Sequence, residues 1–369
     1  MKRMFPLPLY LLLMTTALFS KSLIPPDHPA IQYMGRIDRH APDRVLFDWP
    51  GITIRTTFEG TSCAAELEGV NCFDAYIDGV LSSTFCCKTA KSIYQIAEGL
   101  TDRPHRLVLT KRSESAGAPS AFYGFLLDSG KTVTAPPPLS DRKIEFIGDS
   151  YTVGFSNEYM RMECPPGKDD SIMLSATNSY KAFGPLTARA FGAQYHIIAI
   201  SGKGLVRNYN GIDKGRELPV YYDRTLISSV NKRDKSSRWD FSQWKADVVV
   251  IGLGINDFQG DPPYADSTKF DGAYIALIER LRKQYPGVKI ICCATKVWPD
   301  DNLIPRVKAI VERQGTAGHQ DVKYFEYHTE NGALYGHPHI YDHQKVSREL
   351  IPVMAEVTGW HRTDMMRGK

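Results

Sequence analysis

A serine follows an apolar segment directly, in a position suited to a nucleophile. Residues 143–154 read KIEFIGDSYTVG, so the apolar run ends at Gly148, Asp149 and Ser150. Gly148 permits a sharp turn because it has no Cβ, and open α/β sheets place their ligands at the carboxyl ends of such strands. A serine hydroxyl becomes a nucleophile when a neighbouring base removes its proton. The segment predicts Ser150 as a nucleophile, although Asp-Ser after a strand can also simply cap a helix.

Three further polar stretches could supply the other groups that acyl transfer requires. They are 201–204 (SGKG), 252–257 (GLGIND) and 336–338 (GHP). His337 is the candidate base. The backbone N–H groups of Ser150 and Gly202 and the side-chain amide of Asn256 could stabilise the oxyanion of a tetrahedral intermediate. Each stretch alone is also consistent with a turn or a helix cap. Their order, each at the end of a predicted strand, favours a catalytic site for acyl transfer.

A histidine metal site and an α/β-hydrolase nucleophile elbow are the alternatives to this site. His337, His339 and His343 could bind a metal ion, but no acidic or thiol ligand motif accompanies them. We therefore predict no metal and no cofactor. The chain contains no G-x-S-x-G motif, which excludes the ordinary nucleophile elbow of α/β-hydrolases.

The elements that position these residues alternate between strand and helix in the second part of the chain. Strands are predicted at 143–147, 196–200, 247–251, 289–294 and 322–327. Residues 248–251 are continuously apolar, which is typical of a parallel strand covered on both faces. Apolar residues recur at helical spacing between the strands, and Asp342 is predicted to cap the last helix. The pattern predicts an α/β fold with a doubly wound parallel sheet.

The first part of the chain has a different pattern. Apolar residues alternate with polar or small ones from Ile52 to Phe58, and Asp78-Gly79 indicates a hairpin. Frequent turns between short strands favour an all-β sandwich or jelly roll. The predicted organisation is a signal peptide at 1–22, a β-sandwich domain at 30–134, a Pro-rich linker at 135–140 and an α/β domain at 141–362.

The amino-terminal segment has the composition of a signal peptide. Lys2 and Arg3 precede an apolar run at residues 7–19, which is short for a membrane span. We expect cleavage near Ser20 or Ser22, although a retained amino-terminal anchor is the alternative. No later segment is apolar enough to cross a bilayer, so we expect no stable membrane insertion after cleavage. The predicted location is secreted or periplasmic.

The charge and the cysteine content indicate which partners and which disulfides to expect. The net charge is +4, from 45 basic and 41 acidic residues, without a long basic run, so nucleic acid is not an expected partner. Of the seven cysteines, Cys63 and Cys72 are a candidate disulfide. Cys292 and Cys293 lie in an apolar strand and are predicted to be buried thiols.

The motifs resemble those of a known group of enzymes. Gly148-Asp149-Ser150, Gly202, Gly254-x-Asn256-Asp257 and His337 look like the four blocks of the SGNH (GDSL-type) hydrolases. Longer stretches are similar to carbohydrate esterase family 2, at 146–158, 201–208 and 222–226, and before them at 35–38, 47–51 and 58–60. The resemblance spans nearly the whole chain after the signal peptide.

This resemblance implies an amino-terminal jelly-roll domain joined to an SGNH hydrolase domain. It also implies removal of O-acetyl groups from plant polysaccharides such as xylan or glucomannan. Ser150 would be the nucleophile, His337 the base, and Ser150, Gly202 and Asn256 the oxyanion hole. The chain departs from the SGNH pattern at Leu334 and Tyr335, where the acid of the triad is expected. A backbone carbonyl or another group must therefore orient His337.

The substrate is less well defined by the sequence. A lipid or thioester hydrolase on the same fold is one alternative, because a fold does not determine its substrate. A catalytically idle carbohydrate-binding protein is another, given the missing acid. Sugar binding requires aromatic platforms, for which Trp298, Tyr159 and Tyr209 are the candidates, although Trp298 could equally pack in the protein interior.

Overall fold

Two antiparallel sheets precede residue 135 in the computed structural model, which describes residues 21–115, 117–230 and 237–363. The strands are β1 (Ser22–Ile24), β2 (Gln32–Met34), β3 (Val45–Phe47), β4 (Thr53–Gly60), β5 (Cys63–Glu68), β6 (Cys72–Ile77), β7 (Val80–Cys86), β8 (Ser92–Ala97), β9 (Arg103–Lys111), β10 (Ser120–Leu127) and β11 (Val133–Thr134). One sheet has the order β1-β10-β5-β8, and β3 also pairs with β10. The other has the order β11-β4-β9-β6-β7, and β2 also pairs with β4.

The two sheets pack face to face as a sandwich. Phe47 of β3 contacts Phe73 of β6 edge to face with ring centroids 6.3 Å apart, and Tyr33 of β2 contacts Phe122 of β10 at the same distance. The predicted all-β sandwich is therefore confirmed. Its first sheet begins at Ser22, which pairs with Leu127, rather than near residue 30. An edge strand of three residues is too short to show an alternating pattern.

The predicted cysteine pairing is wrong. Cys72 forms a disulfide with Cys86, its direct partner in the register of β6 and β7. Cys63 begins β5 in the other sheet and is a buried free thiol. The two cysteines that are close in sequence start strands of different sheets, whereas the hairpin joins the more distant pair. Cys292 and Cys293 are buried free thiols, as predicted.

The second domain is a parallel sheet with helices. Its elements are β12 (Lys143–Gly148), α1 (Ser150–Val153), α2 (Asp169–Ala176), α3 (Phe183–Ala190), β13 (Gln194–Ala199), α4 (Leu218–Tyr221), β14 (Val248–Gly252), α5 (Ile255–Phe258), α6 (Ser267–Gln284), β15 (Lys289–Ala294), α7 (Leu303–Thr316), β16 (Val322–Glu326) and α8 (Ile340–Thr358). The strand order is β13-β12-β14-β15-β16, and each neighbouring pair is parallel. The predicted doubly wound sheet is confirmed, and all carboxyl ends meet at one edge.

Buried charges join the two domains. Arg36 of the sandwich domain forms an ion pair with Glu145 of β12 at 3.1 Å, and both side chains are fully buried. The carboxylate of Asp48 accepts hydrogen bonds from the backbone N–H groups of Ile227 and Ser228 at 2.7 and 2.8 Å. One hydrophobic cluster contains residues of both domains, so the domains share a buried interface.

The cap of α8 differs from the prediction. His339, rather than Asp342, is the N-cap, because its Nδ1 accepts the N–H of Asp342 at 3.1 Å. Asp342 lies inside the first turn and accepts the N–H of His339 in return, which completes a capping box.

The predicted signal peptide lies almost entirely outside the described residues. Within them, the structure contains no helix with the length and apolar character needed to cross a membrane.

Candidate active site

The turn between β12 and α1 places Ser150 at the first position of a helix. A Cβ on Gly148 would lie 1.9 Å from Oγ1 of Thr152, so only glycine fits this turn. Asp149 caps the helix, since its Oδ1 accepts the N–H of Tyr151 at 3.0 Å. The cap and the candidate nucleophile are thus neighbouring residues, and the helix amino terminus faces the site where negative charge would develop.

Ser150 and His337 are brought together from opposite ends of the domain sequence. Oγ of Ser150 lies 2.9 Å from Nε2 of His337, and Nδ1 of His337 lies 2.9 Å from the carbonyl oxygen of Leu334. Because a carbonyl oxygen only accepts hydrogen bonds, the imidazole carries its proton on Nδ1 and leaves Nε2 free to accept the serine proton. The peptide carbonyl of Leu334 therefore takes the position of the missing acid.

A tight turn before α8 presents this carbonyl. Residues Leu334–Gly336 form a 3₁₀ turn in which Tyr335 has a φ of 55° and Gly336 a φ of 72°. The N–H of Tyr335 donates to the carbonyl of Met162 at 2.9 Å, which anchors the turn to the segment between α1 and α2. The turn thus holds the carbonyl of Leu334 within hydrogen-bonding distance of Nδ1 of His337.

Aromatic rings surround His337. The rings of Phe155 and Tyr151 lie 4.5 and 5.6 Å from the imidazole, measured between centroids. Burial lowers the pKa of His337 to about 4, against the opposing effect of its hydrogen bond to Leu334. His337 is therefore neutral near pH 7 and can accept a proton.

The predicted oxyanion donors lie beside Ser150. Gly202 has a φ of 77° and lines the same cavity as Ser150. Nδ2 of Asn256 donates one proton to the carbonyl of Lys203 at 2.9 Å and retains a second N–H. A cavity of about 400 Å³ connects these groups. Its walls are Ser150, Tyr151, Phe155, Met173, Ser201, Gly202, Tyr209, Ile255, Asn256, Gln259, Tyr335, Gly336 and His337.

Two buried carboxylates support the site without lining it. Asp257, which belongs to the polar stretch predicted at 252–257, accepts the N–H groups of Leu205, Val206 and Arg207 at 2.8 to 2.9 Å. It thereby shapes the loop after Gly202, and burial raises its pKa to about 6. Burial likewise raises the pKa of Asp149 to about 7.

The other two histidines have separate partners. His339 caps α8, and Nδ1 of His343 accepts the N–H of Phe183 at 3.3 Å. In the part of the chain that the structure describes, no group of three His, Cys, Asp or Glu side chains could hold a metal ion. The alternative of a histidine metal site thus has no support in the geometry.

Only one of the three aromatic residues predicted to bind sugar lines the cavity. Tyr209 lines it and is 41% exposed, whereas neither Trp298 nor Tyr159 belongs to its described walls. Trp298 is exposed but follows β15, two strands away from β12. The hydroxyl of Tyr159 donates to the carbonyl of Glu163 at 3.3 Å.

The structure also adds cavity residues that sequence reasoning missed. Tyr335 and Phe155 lie near His337 and Ser150 in the sequence, and this proximity could have indicated them. Met173 of α2 lies in a segment without any motif, and nothing in the sequence signals its place in the cavity.

Family comparisons match both domains. The family described as Carbohydrate esterase 2 N-terminal matches residues 33–137, and the GDSL-like Lipase/Acylhydrolase family matches residues 146–330. The second match includes Ser150, Gly202 and Asn256 and ends before His337.

Two curated relatives and a solved structure are similar over much of the chain. The chain is 36% identical to "Cellulase/esterase CelE" of Acetivibrio thermocellus over 343 residues, which cover 90% of this chain and 40% of that protein. It is 38% identical to an "Acetylxylan esterase / glucomannan deacetylase" of Cellvibrio japonicus over 218 residues, 59% of this chain and 57% of that protein. The chain thus spans about half the length of these two relatives.

The solved structure is that of a family two carbohydrate esterase from Clostridium thermocellum in complex with cellohexaose. It shares 32% identity with this chain at a TM-score of 0.81, and the match covers 90% of this chain and 100% of that one.

Proposed function

The chain belongs to carbohydrate esterase family 2, and on that premise we propose that it removes O-acetyl groups from plant polysaccharides. The observation that carries the proposal is the chain of hydrogen bonds from Ser150 to His337 to the carbonyl of Leu334. The similarity to the acetylxylan esterase / glucomannan deacetylase of Cellvibrio japonicus supports acetylated xylan or glucomannan as the substrate.

In the first step Ser150 attacks the acetyl carbonyl. The bond from Oγ to the carbonyl carbon forms while Nε2 of His337 accepts the serine proton. The negative charge moves to the carbonyl oxygen, where the N–H groups of Ser150 and Gly202 and the amide of Asn256 stabilise it. When the tetrahedral intermediate collapses, the bond to the sugar oxygen breaks and that oxygen receives the proton from His337.

The second step releases acetate. His337, neutral again, accepts a proton from a water molecule that attacks the acetyl-enzyme. The same three donors hold the second oxyanion, and its collapse returns the proton to Oγ of Ser150. No metal or cofactor takes part in this scheme.

The test is a set of three alanine variants assayed with 4-nitrophenyl acetate and with acetylated xylan and glucomannan. Ser150→Ala and His337→Ala should each lower kcat by about a thousandfold or more, because nucleophile and base act as a unit. His339→Ala is the matched control, since it removes a nearby histidine that caps a helix; it should lose about 1 kcal/mol of stability and keep its activity. Activity retained in Ser150→Ala would refute the assignment.

Comparison of acyl groups separates this proposal from the alternatives. Phe155, Met173 and Ile255 give the cavity apolar walls, which favours a lipid or thioester hydrolase as the second candidate. Faster turnover of long acyl esters than of acetyl esters would support that candidate. Binding of xylan or glucomannan without release of acetate would instead identify an idle carbohydrate-binding protein.

Export is part of the proposal. The predicted signal peptide at 1–22 would direct the protein to a secreted or periplasmic location, and the Cys72–Cys86 disulfide is consistent with an oxidising compartment. Cleavage after Ser20 would leave β1 intact, whereas cleavage after Ser22 would remove its first residue. Amino-terminal sequencing of the mature protein tests this point.

A further inference from the structure

A loop of the sandwich domain reaches the oxyanion side of the active site. After β9 the chain continues to Glu114, whose Oε1 accepts the backbone N–H of Ser201 at 2.9 Å. Ser201 lines the catalytic cavity and directly precedes Gly202. We propose that Glu114 is a positioning residue for the esterase reaction: through Ser201, the sandwich domain holds the peptide that carries the oxyanion donor of Gly202.

The Gly202 donor requires external support because its own backbone is permissive. Its N–H belongs to the peptide plane between Ser201 and Gly202, so rotation about Ser201 changes its direction. Gly202 has a positive φ and no neighbour where a Cβ would stand. Glycine at such a position has more backbone freedom than any other residue. A donor that is free to rotate would lose the preorganisation on which oxyanion stabilisation depends.

The hydrolase domain holds this loop by a turn, in which the N–H of Lys203 donates to the carbonyl of Ile200 at 3.2 Å, and by two contacts on its far side. The carbonyl of Gly202 accepts the N–H of Tyr209 at 2.9 Å, and the carbonyl of Lys203 accepts Nδ2 of Asn256 at the same distance. On the side that faces the sandwich domain, Glu114 is the only hydrogen-bond partner of the Ser201 N–H among the described residues. The peptide of the Gly202 donor is therefore fixed between a contact from each domain.

Glu114 is itself fixed within its loop. Nδ2 of Asn71, a buried side chain, lies 3.3 Å from the carbonyl oxygens of both Ser113 and Glu114. The N–H of Ser115 donates to the carbonyl of Asp48 at 2.8 Å. Because Asp48 also binds two N–H groups of the hydrolase domain, the loop is tied to both domains.

The charge of Glu114 has a nearby counterpart. Lys111 is fully buried, and burial lowers its pKa to about 7, while the charges of Asp48 and Glu114 act in the opposite direction. The Nζ of Lys111 donates to the carbonyl of Asp48 at 3.2 Å and to that of Ser113. The charges of Asp48 and Glu114 thus favour the protonated form of Lys111. The useful property of Glu114 is its acceptor geometry, because Oε1 accepts the N–H of Ser201 as a neutral amide oxygen also could.

The experiment compares three Glu114 variants in the full chain and rests on the proposed esterase function. Glu114→Ala should lower kcat for 4-nitrophenyl acetate by about tenfold to a hundredfold with KM within about twofold, because the donor acts in the transition state. Glu114→Gln keeps an acceptor oxygen and should stay within about threefold of wild type. Glu114→Asp withdraws the oxygen by one methylene and should fall between them, which provides a test if Glu114→Ala does not fold.

A second readout separates positioning from a merely structural role. Phenylboronic acid forms a tetrahedral adduct with an active-site serine, and its inhibition constant should rise in Glu114→Ala by the same factor as kcat falls. Asp128→Ala is the matched control, since this carboxylate also accepts two backbone N–H groups of its own domain, at Thr61 and Ser62. It should lower the unfolding temperature without changing kcat or boronate inhibition.

Three outcomes would overturn the inference. They are a wild-type kcat in Glu114→Ala, a Glu114→Gln variant as slow as Glu114→Ala, and a fall in kcat of Asp128→Ala equal to that of Glu114→Ala. Absence of esterase activity in the wild type is a different result, because it would refute the proposed function and with it this inference.

Discussion

The proposed base, His337, is hydrogen-bonded to a peptide carbonyl where the SGNH pattern has a carboxylate. A carbonyl fixes the tautomer and the direction of the ring as an acid does, but it carries only a partial negative charge. It therefore stabilises the imidazolium less than an ionised acid would. The rings of Phe155 and Tyr151 add to this effect by excluding water. The base at this site should accordingly be oriented well and bind its proton weakly.

This environment predicts an unusual pH dependence. His337 must be neutral to accept the serine proton, and burial lowers its pKa to about 4. The kcat/KM for 4-nitrophenyl acetate should therefore be level above that pH and fall about tenfold per pH unit below it, as the imidazole becomes protonated. Steady-state rates between pH 3 and 8 measure this, with circular dichroism at each pH to show that the chain is folded. A midpoint near the ordinary histidine value would contradict the lowered pKa of His337.

The turn between β12 and α1 depends on a single glycine. Gly148→Ala would force its methyl group against the side chain of Thr152, which packs at 1.9 Å from the position of the added Cβ. We expect a loss of about 1–3 kcal/mol in the free energy of unfolding, as for other overpacked sites, and a lower kcat because Ser150 must shift. Urea unfolding and assays with 4-nitrophenyl acetate give both quantities.

Gly272→Ala is the control for this substitution. Gly272 lies on an exposed part of α6 with nothing within 4 Å of an added Cβ. Alanine there should stabilise the protein by about 0.5–1 kcal/mol, because glycine is unfavourable inside a helix. Equal effects of the two substitutions would show that the turn at Gly148 is not tight.

At the level of elements, the sequence predicted what depends on regular patterns. The five parallel strands lie within two residues of their predicted bounds, because apolar runs and the turns after them are local signals. The pairing of Cys72 with Cys86 and the capping of α8 by His339 were missed. The disulfide depends on which strands become neighbours, and histidine is not among the usual capping residues. For the group that orients His337, the sequence left a backbone carbonyl and another group as two possibilities, since no backbone group has a sequence signature.

At the level of the whole molecule, buried charged groups join the two domains. Arg36 lies between the domains, where Oε1 of Glu145 is its ion-pair partner and the carbonyl of Arg224 accepts a hydrogen bond at 3.1 Å. Glu145 also accepts the hydroxyls of Tyr222 at 2.7 Å and Tyr285 at 3.3 Å. Asp48 of the same interface also accepts the N–H of Ser115, so the contacts between the domains and the position of the Glu114 loop are connected.

The interface predicts that the two domains unfold in one transition, and that loss of the Arg36–Glu145 ion pair lowers the stability of both. Arg36→Ala would leave Glu145 buried without a cation, which costs about 3–5 kcal/mol for such a pair. Urea unfolding, followed by tryptophan fluorescence and circular dichroism, should give one transition in the wild type and a lower midpoint in the variant. Arg103→Ala removes a solvent-exposed ion pair with Asp78 and should change stability by about 0–1 kcal/mol. A loss in Arg36→Ala no larger than in Arg103→Ala would show that the buried pair does not hold the domains together.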